Sequence, residues 1–172
     1  NSSAASDVYK RQAEYIQQMT ALRQAMIKRD GIRVIPHVQE FVKGLSQAGL
    51  KLAVASSSSL AEIKVNLAEI GLSEYFSEVV STEEVEHSKP APDVYLAAAE
   101  RIGIMPENCL GIEDTKNGTG AVRNAGMVCV GFANPAFPKQ DLAFADRVVS
   151  SFSELDADSL TKIYQKVRAS HA

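Results

Sequence analysis

The chain has little that would tie it to an oxidising compartment, a polyanion or a membrane. Its 172 residues include two cysteines, Cys109 and Cys129, each inside an apolar run and without paired spacing to other cysteines or histidines. That excludes a disulfide or zinc framework and predicts buried, reduced thiols. Basic residues are not in excess. The formal net charge of -3 offers no basic face to nucleic acid or to an anionic bilayer, though local charge still suits a small anion. No apolar run reaches the about 18 residues of a membrane span, and no charged-then-apolar leader is read. The expected compartment is the cytoplasm. His37, His87 and His171 are scattered without metal spacing or an evident acidic or serine partner, and are read as incidental. A nucleotide-type phosphate loop is missing as well, because Gly118-Thr119-Gly120 follows acids and lacks the lysine-serine ending.

What is present is ordinary globular material, 45% hydrophobic and 23% charged, enough for one domain with a core. Residues 1–12 stand apart: they are polar and share no periodicity with the segment after them. Asp7-Val8-Tyr9-Lys10-Arg11-Gln12 resembles the translation of a transposon end used in preparing sequencing libraries. We therefore read 1–12 as a non-native scar, with a disordered native tail as the alternative.

From Ala13 to Asp30, Tyr15, Ile16, Met19, Leu22, Met26 and Ile27 recur at helical spacing and predict one amphipathic helix stopped by Gly31. Pro36 opens a second helix, closed by Gly49. Ser59 and Glu62 have the spacing of a capping box, so a helix is predicted over 60–70 with Gly71 as its cap. Pro92 and Gly103 bound a further helix, and others are predicted over 117–125 and 159–168. Short apolar runs at 51–55, 76–80, 108–112, 127–132 and 147–149 read as strands. Helices alternating with such strands predict an α/β fold with a parallel sheet covered on both faces.

Three stretches at the ends of these strands carry chemistry: Ala55-Ser56-Ser57-Ser58, Ser88-Lys89-Pro90-Ala91-Pro92-Asp93 and Glu113-Asp114-Thr115. A hydroxyl, an amine and an acidic pair at one sheet edge suit a phosphate and metal site. Two carboxylates are suitable ligands for Mg²⁺, which keeps several waters and shares its site with phosphate. Adjacent strand residues point to opposite faces, however, so Glu113 and Asp114 converge only if the chain turns there. Each stretch also has a bland reading. The serines lead into a helix cap, Lys89 is a solvated loop charge, and Asp114 or Thr115 caps the next helix.

Taken together, in order and spacing, the three stretches resemble the second, third and fourth motifs of the haloacid dehalogenase-like superfamily, in its helical-cap subfamily of phosphatases and β-phosphoglucomutase-like proteins. The resemblance implies a Rossmann-like core and assigns Ser56 as the hydroxyl that binds the transferring phosphoryl group, aided by the Ser57 amide. It gives Lys89 the balancing of charge between phosphoryl group and nucleophile. Glu113 and Asp114 would hold Mg²⁺, Asp114 in preference as the direct ligand. The acidic pair argues against the metal-free dehalogenase branch. The family's nucleophile is the first aspartate of an Asp-x-Asp motif after the first strand, and no residue here matches it.

Residues 13–34 are accordingly expected to be the last helix of a cap, and 35–172 a core lacking its first, central strand. The function implied is Mg²⁺-dependent phosphoryl transfer through an aspartyl-phosphate, as a phosphatase on a small phosphorylated metabolite such as a sugar phosphate. This chain itself is expected to be inactive. The alternatives are a phosphomutase and a non-catalytic binding module that has lost the nucleophile. A receiver-type domain would need an acceptor aspartate after a central strand, and none is visible.

Overall fold

The computed structural model describes residues 14–17 and 34–171. Among the described residues, six strands form one sheet in the order β3-β2-β1-β4-β5-β6, every neighbouring pair parallel. The strands are β1 (Glu14–Gln17), β2 (Leu52–Ser56), β3 (Glu78–Ser81), β4 (Cys109–Glu113), β5 (Val128–Phe132) and β6 (Arg147–Val149). Between and after them run α1 (Val38–Gln47), α2 (Leu60–Glu69), α3 (Asp93–Ile102), α4 (Lys116–Asn124) and α5 (Ala157–Ser170).

Local sequence accounts for most element boundaries. The predicted capping box is formed, with the Ser59 hydroxyl accepting from the Glu62 amide and the Glu62 carboxylate from the Ser59 amide. Gly49, Gly71 and Gly103 follow their helices with φ of 82°, 72° and 75°, a left-handed conformation that costs a residue with a Cβ about 1 kcal/mol or more.

Strand alternation sorts the side chains into two unlike faces. Leu52, Val54, Leu110, Ile112, Val128, Val130 and Phe132 build a bulky core with α1, α2 and α5. The residues between them on β2, β4 and β5 are small: Ala53, Ala55, Cys109 and Cys129 pack with α3 and α4. Gly111 shows why small residues are needed there, since a Cβ on it would lie 2.6 Å from a methyl of Val122 on α4. Both cysteines are buried and neither is in a disulfide. Among the described residues, no helix is long and apolar enough to cross a membrane.

Two expectations are corrected at the sheet centre. Residues 14–17, whose spacing predicts the start of a helix over 13–30, form a strand. They also occupy the central position that the sequence reading leaves empty. Tyr15 pairs in register with Leu52 on one side and Leu110 on the other. The physical reason is tertiary: β2 and β4 would otherwise turn unpaired amides and carbonyls toward each other, and satisfying two ladders at once outweighs a helical pattern worth tenths of a kcal/mol per residue. The rest of the 13–30 segment, and residues 1–12, lie outside the described residues.

Candidate active site

The C-terminal ends of β2 and β4 bring the motif residues together. β2 ends at Ser56, which is buried, and its Oγ accepts from the Ser58 amide at 3.1 Å. The Ser81 hydroxyl, at the end of β3, donates to the Ser58 carbonyl at 2.6 Å and pins the same turn. Lys89 enters from the loop ahead of α3. Its Nζ donates to the Ala55 carbonyl at 3.3 Å and to Glu113 Oε1 at 3.0 Å, with the side chain only 7% exposed. The bland reading of Lys89 as a solvated charge is therefore excluded.

Glu113 faces the small-residue side of the sheet, having the strand parity of Cys109 and Gly111. There the Tyr95 hydroxyl of α3 donates to Oε1 at 2.6 Å, and the Asp114 amide donates to Oε2 at 3.2 Å. The Lys89 ammonium also lies 5.4 Å from the centre of the Tyr95 ring. Burial drives every member of this cluster toward its neutral form: the Glu113 carboxyl and the Tyr95 phenol are raised, the Lys89 ammonium lowered. The Lys89–Glu113 attraction opposes that drift for both partners, and the Tyr95 hydrogen bond favours Glu113 as carboxylate.

Gly118 makes room for this arrangement, because a Cβ there would collide with the Glu113 carboxylate. Gly118→Ala is a clean test, since helix propensity alone would stabilise α4 by about 1 kcal/mol. We expect destabilisation instead, by about 1–3 kcal/mol, measured by chemical unfolding. A stabilised variant would show that the carboxylate can move aside.

Asp114 is placed differently. It is buried, and among the described residues its Oδ1 has no hydrogen-bond partner. Burial, then the charge of Glu113, raises its carboxyl from the ordinary 3.8 to about 7. The helix cap is taken by Thr115, whose Oγ1 accepts from the Gly118 amide at 3.0 Å, so Asp114 is left to another use. An orphaned buried carboxylate oxygen fits a divalent cation, whereas the Glu113 carboxylate is committed to Lys89, Tyr95 and the Asp114 amide. Among the described residues, no group of three acids, histidines or cysteines could hold a metal.

A cavity of about 380 Å³ opens beside these groups, lined by Ser57, Ser88, Lys89, Thr115, Lys116, Asn117 and Gln140. A second, of about 340 Å³, shares Thr115 and Gln140 with it and is lined by Asp114, Phe132, Asn134 and Phe137 among others. The structure thus brings Ser57 and Lys89 into one cavity and Asp114 into its neighbour. Ser56 is not among the lining residues of either. From sequence, Tyr95 reads only as part of an apolar helix stripe; its hydroxyl partner is 18 positions away and leaves no local signal. His87, for which sequence offers no acidic partner, contacts Asp93 through Nδ1 at 3.0 Å.

Comparisons with known proteins show what the chain is similar to. The sequence pattern of the haloacid dehalogenase-like hydrolase family matches residues 2–132, extending into the residues that composition sets apart at the start. A putative phosphatase of Bacillus subtilis, YhcW, is 34% identical over 116 residues, covering 66% of this chain and 53% of the relative. The fructose-1-phosphate phosphatase YqaB of Escherichia coli is 37% identical over 101 residues, covering 59% of this chain and 53% of its own. The crystal structure of CbbY from Rhodobacter sphaeroides in complex with phosphate superimposes with a TM-score of 0.67 at 30% identity, covering 72% of this chain and 56% of that one. The chain spans about half the length of these relatives. A family match across that much of the sequence decides membership: the chain belongs to the haloacid dehalogenase-like hydrolases.

Proposed function

We propose that the site serves Mg²⁺-dependent phosphoryl transfer on a small phosphorylated metabolite such as a sugar phosphate, hydrolytic in the whole protein and proceeding through an aspartyl-phosphate. The observation that carries this is the buried Lys89 ammonium, fixed by Glu113 and lining a polar cavity with Ser57. In that cavity Lys89 and the Ser57 amide bind and orient the phosphoryl group, and the low local dielectric strengthens each contact. Asp114 is the residue that would hold Mg²⁺, which supplies charge neutralisation at the phosphoryl oxygens when bound. Glu113 positions Lys89 instead of binding metal directly. The phosphate-bound relative CbbY and the fructose-1-phosphate phosphatase YqaB support this reading. Buried cysteines without a disulfide suit the cytoplasm.

A second feature bears on turnover in this chain. β1 ends at Gln17, and Gln18, Met19 and Thr20 come next in the sequence; none of the three is an aspartate that could form the aspartyl-phosphate. We expect inorganic phosphate to bind, with a dissociation constant in the millimolar range by calorimetry, and to be lost in Lys89→Ala. Hydrolysis of p-nitrophenyl phosphate with Mg²⁺ should not exceed that of the same variant. Absence of phosphate binding would sink the site assignment, and turnover abolished by Lys89→Ala would sink the claim of inactivity.

A further inference from the structure

Among the described residues, two buried side-chain atoms lack a hydrogen-bond partner, Asp114 Oδ1 and Asn134 Nδ2. Both residues line the cavity of about 340 Å³, a volume in the range of small-molecule sites. Leaving such a group unpaired is costly, so each calls for a partner. For the Asp114 oxygen that partner is the cation it would hold. The Asn134 amide cannot share it, because an N–H donor repels a cation and requires an acceptor.

Asn134 lies in the loop after β5 and is held in one orientation. Its Oδ1 accepts from the Ala136 amide at 3.0 Å, which fixes the end of the carboxamide that remains as donor. Its own carbonyl accepts from the Phe137 amide at 3.2 Å, and the Ala133 amide just before it donates to the Val149 carbonyl at 2.8 Å. The donor is thus set by a turn that needs no rearrangement to present it. Phe132, Pro135, Phe137 and Pro138 line the same cavity, and their flat rings suit a planar apolar body. Charge favours a neutral one. Among the described residues the lining has one carboxylate, Asp114, and one ammonium, Lys139, so it offers an anion no net attraction, unlike the cavity at Lys89.

We propose that this cavity is a binding site for an uncharged planar carbonyl compound, an aromatic or heteroaromatic ring whose carbonyl oxygen accepts from Asn134 Nδ2. The ring lies against Phe137 and the two prolines. The site is separate from that of the phosphoryl group: the two cavities share Thr115 and Gln140, but Lys89 and Ser57 line only the other. The inference therefore stands or falls independently of the phosphate-site reading.

Titration of the isotope-labelled intact chain with acetophenone and with ethylbenzene, followed by NMR, tests it. Ethylbenzene matches acetophenone in size and lacks the carbonyl. Acetophenone should bind with a dissociation constant of about 1 mM or tighter and shift the side-chain amide signals of Asn134, and ethylbenzene should bind about fivefold more weakly, the worth of one hydrogen bond. Asn134→Asp keeps an acceptor for the Ala136 amide, and so the turn, but removes the donor; in it the advantage of acetophenone should fall below twofold. Phe137→Ala leaves the donor in place and should weaken both probes. Saturating inorganic phosphate should leave acetophenone binding unchanged. Failure of acetophenone to bind overturns the inference, as do equal affinities for the two probes, an advantage that survives Asn134→Asp, binding of both probes unaltered by Phe137→Ala, or displacement by phosphate. None of these outcomes touches phosphate binding at Lys89, which its own titration decides.

Discussion

Replacing Glu113 with glutamine is expected to destabilise the fold by about 3–5 kcal/mol, the cost of leaving one partner of a buried ion pair uncompensated. The variant keeps the shape of the side chain, so the loss is electrostatic. Lys89 would remain only 7% exposed with its counter-charge gone. The carboxamide also turns an N–H₂ toward a backbone donor wherever it keeps its oxygen on Lys89, because Oε2 of the glutamate accepts from the Asp114 amide. Urea unfolding of the variant beside the parent measures the effect; a loss below about 1 kcal/mol, typical of an exposed pair, would refute the buried-pair account.

The pH dependence separates this from a packing defect. Burial lowers the Lys89 ammonium, and Glu113 is what opposes that shift. In Glu113→Gln the lysine is driven further toward its neutral form, so the folded state binds fewer protons than the unfolded one and the damage shrinks as pH rises. Lys89→Met should show the opposite slope. Glu113, already raised by burial, would lose its cation and be protonated in the folded state, so that damage shrinks as pH falls. The double variant should be less damaged than the sum of the singles, since removing both charges leaves nothing uncompensated.

The parts of this site that sequence exposes are those set by local chemistry. Ser59 and Glu62, Gly71 and Gly103 act on their own neighbours in the chain, and their helices end where such residues require. The parallel sheet is legible in the short apolar runs between those helices. Residues 14–17 illustrate the reverse: their helical spacing is real, but strand pairing with β2 and β4 depends on segments about 35 and 95 residues distant and overrides local propensity. The acidic pair lies between these cases. Strand parity alone puts Glu113 on the side of Gly111 and Cys109, a signal sufficient to separate it from Asp114. What parity leaves out is Tyr95, whose ring fits an apolar stripe and whose hydroxyl acts across the core.

Asp114 should make stability fall as pH rises from about 5 to 8 in the absence of divalent cations. Its carboxyl is raised from 3.8 to about 7 in the folded protein, so over that window the folded state binds more protons than the unfolded one. The stability present below the unfolded value is lost as the group ionises. A shift of roughly three units corresponds to at most about 4 kcal/mol at 1.36 kcal/mol per unit. The raised Glu113 carboxyl adds in the same direction. Glu84 and Glu154, both lowered, act below this window and oppose the trend only in acid. Asp114→Asn cannot ionise there, so its profile should be shallower than the parent's from pH 5 to 8, keeping only the part that Glu113 contributes. Mg²⁺ adds the decisive contrast. An ion bound at the unpartnered Oδ1 would favour the carboxylate and stabilise the folded chain at pH 8, by about 2.7 kcal/mol at a hundredfold excess over its dissociation constant, and would leave Asp114→Asn unmoved. A parent profile flat across the window would refute the desolvated carboxyl. A Mg²⁺ response preserved in Asp114→Asn would move the metal to other residues.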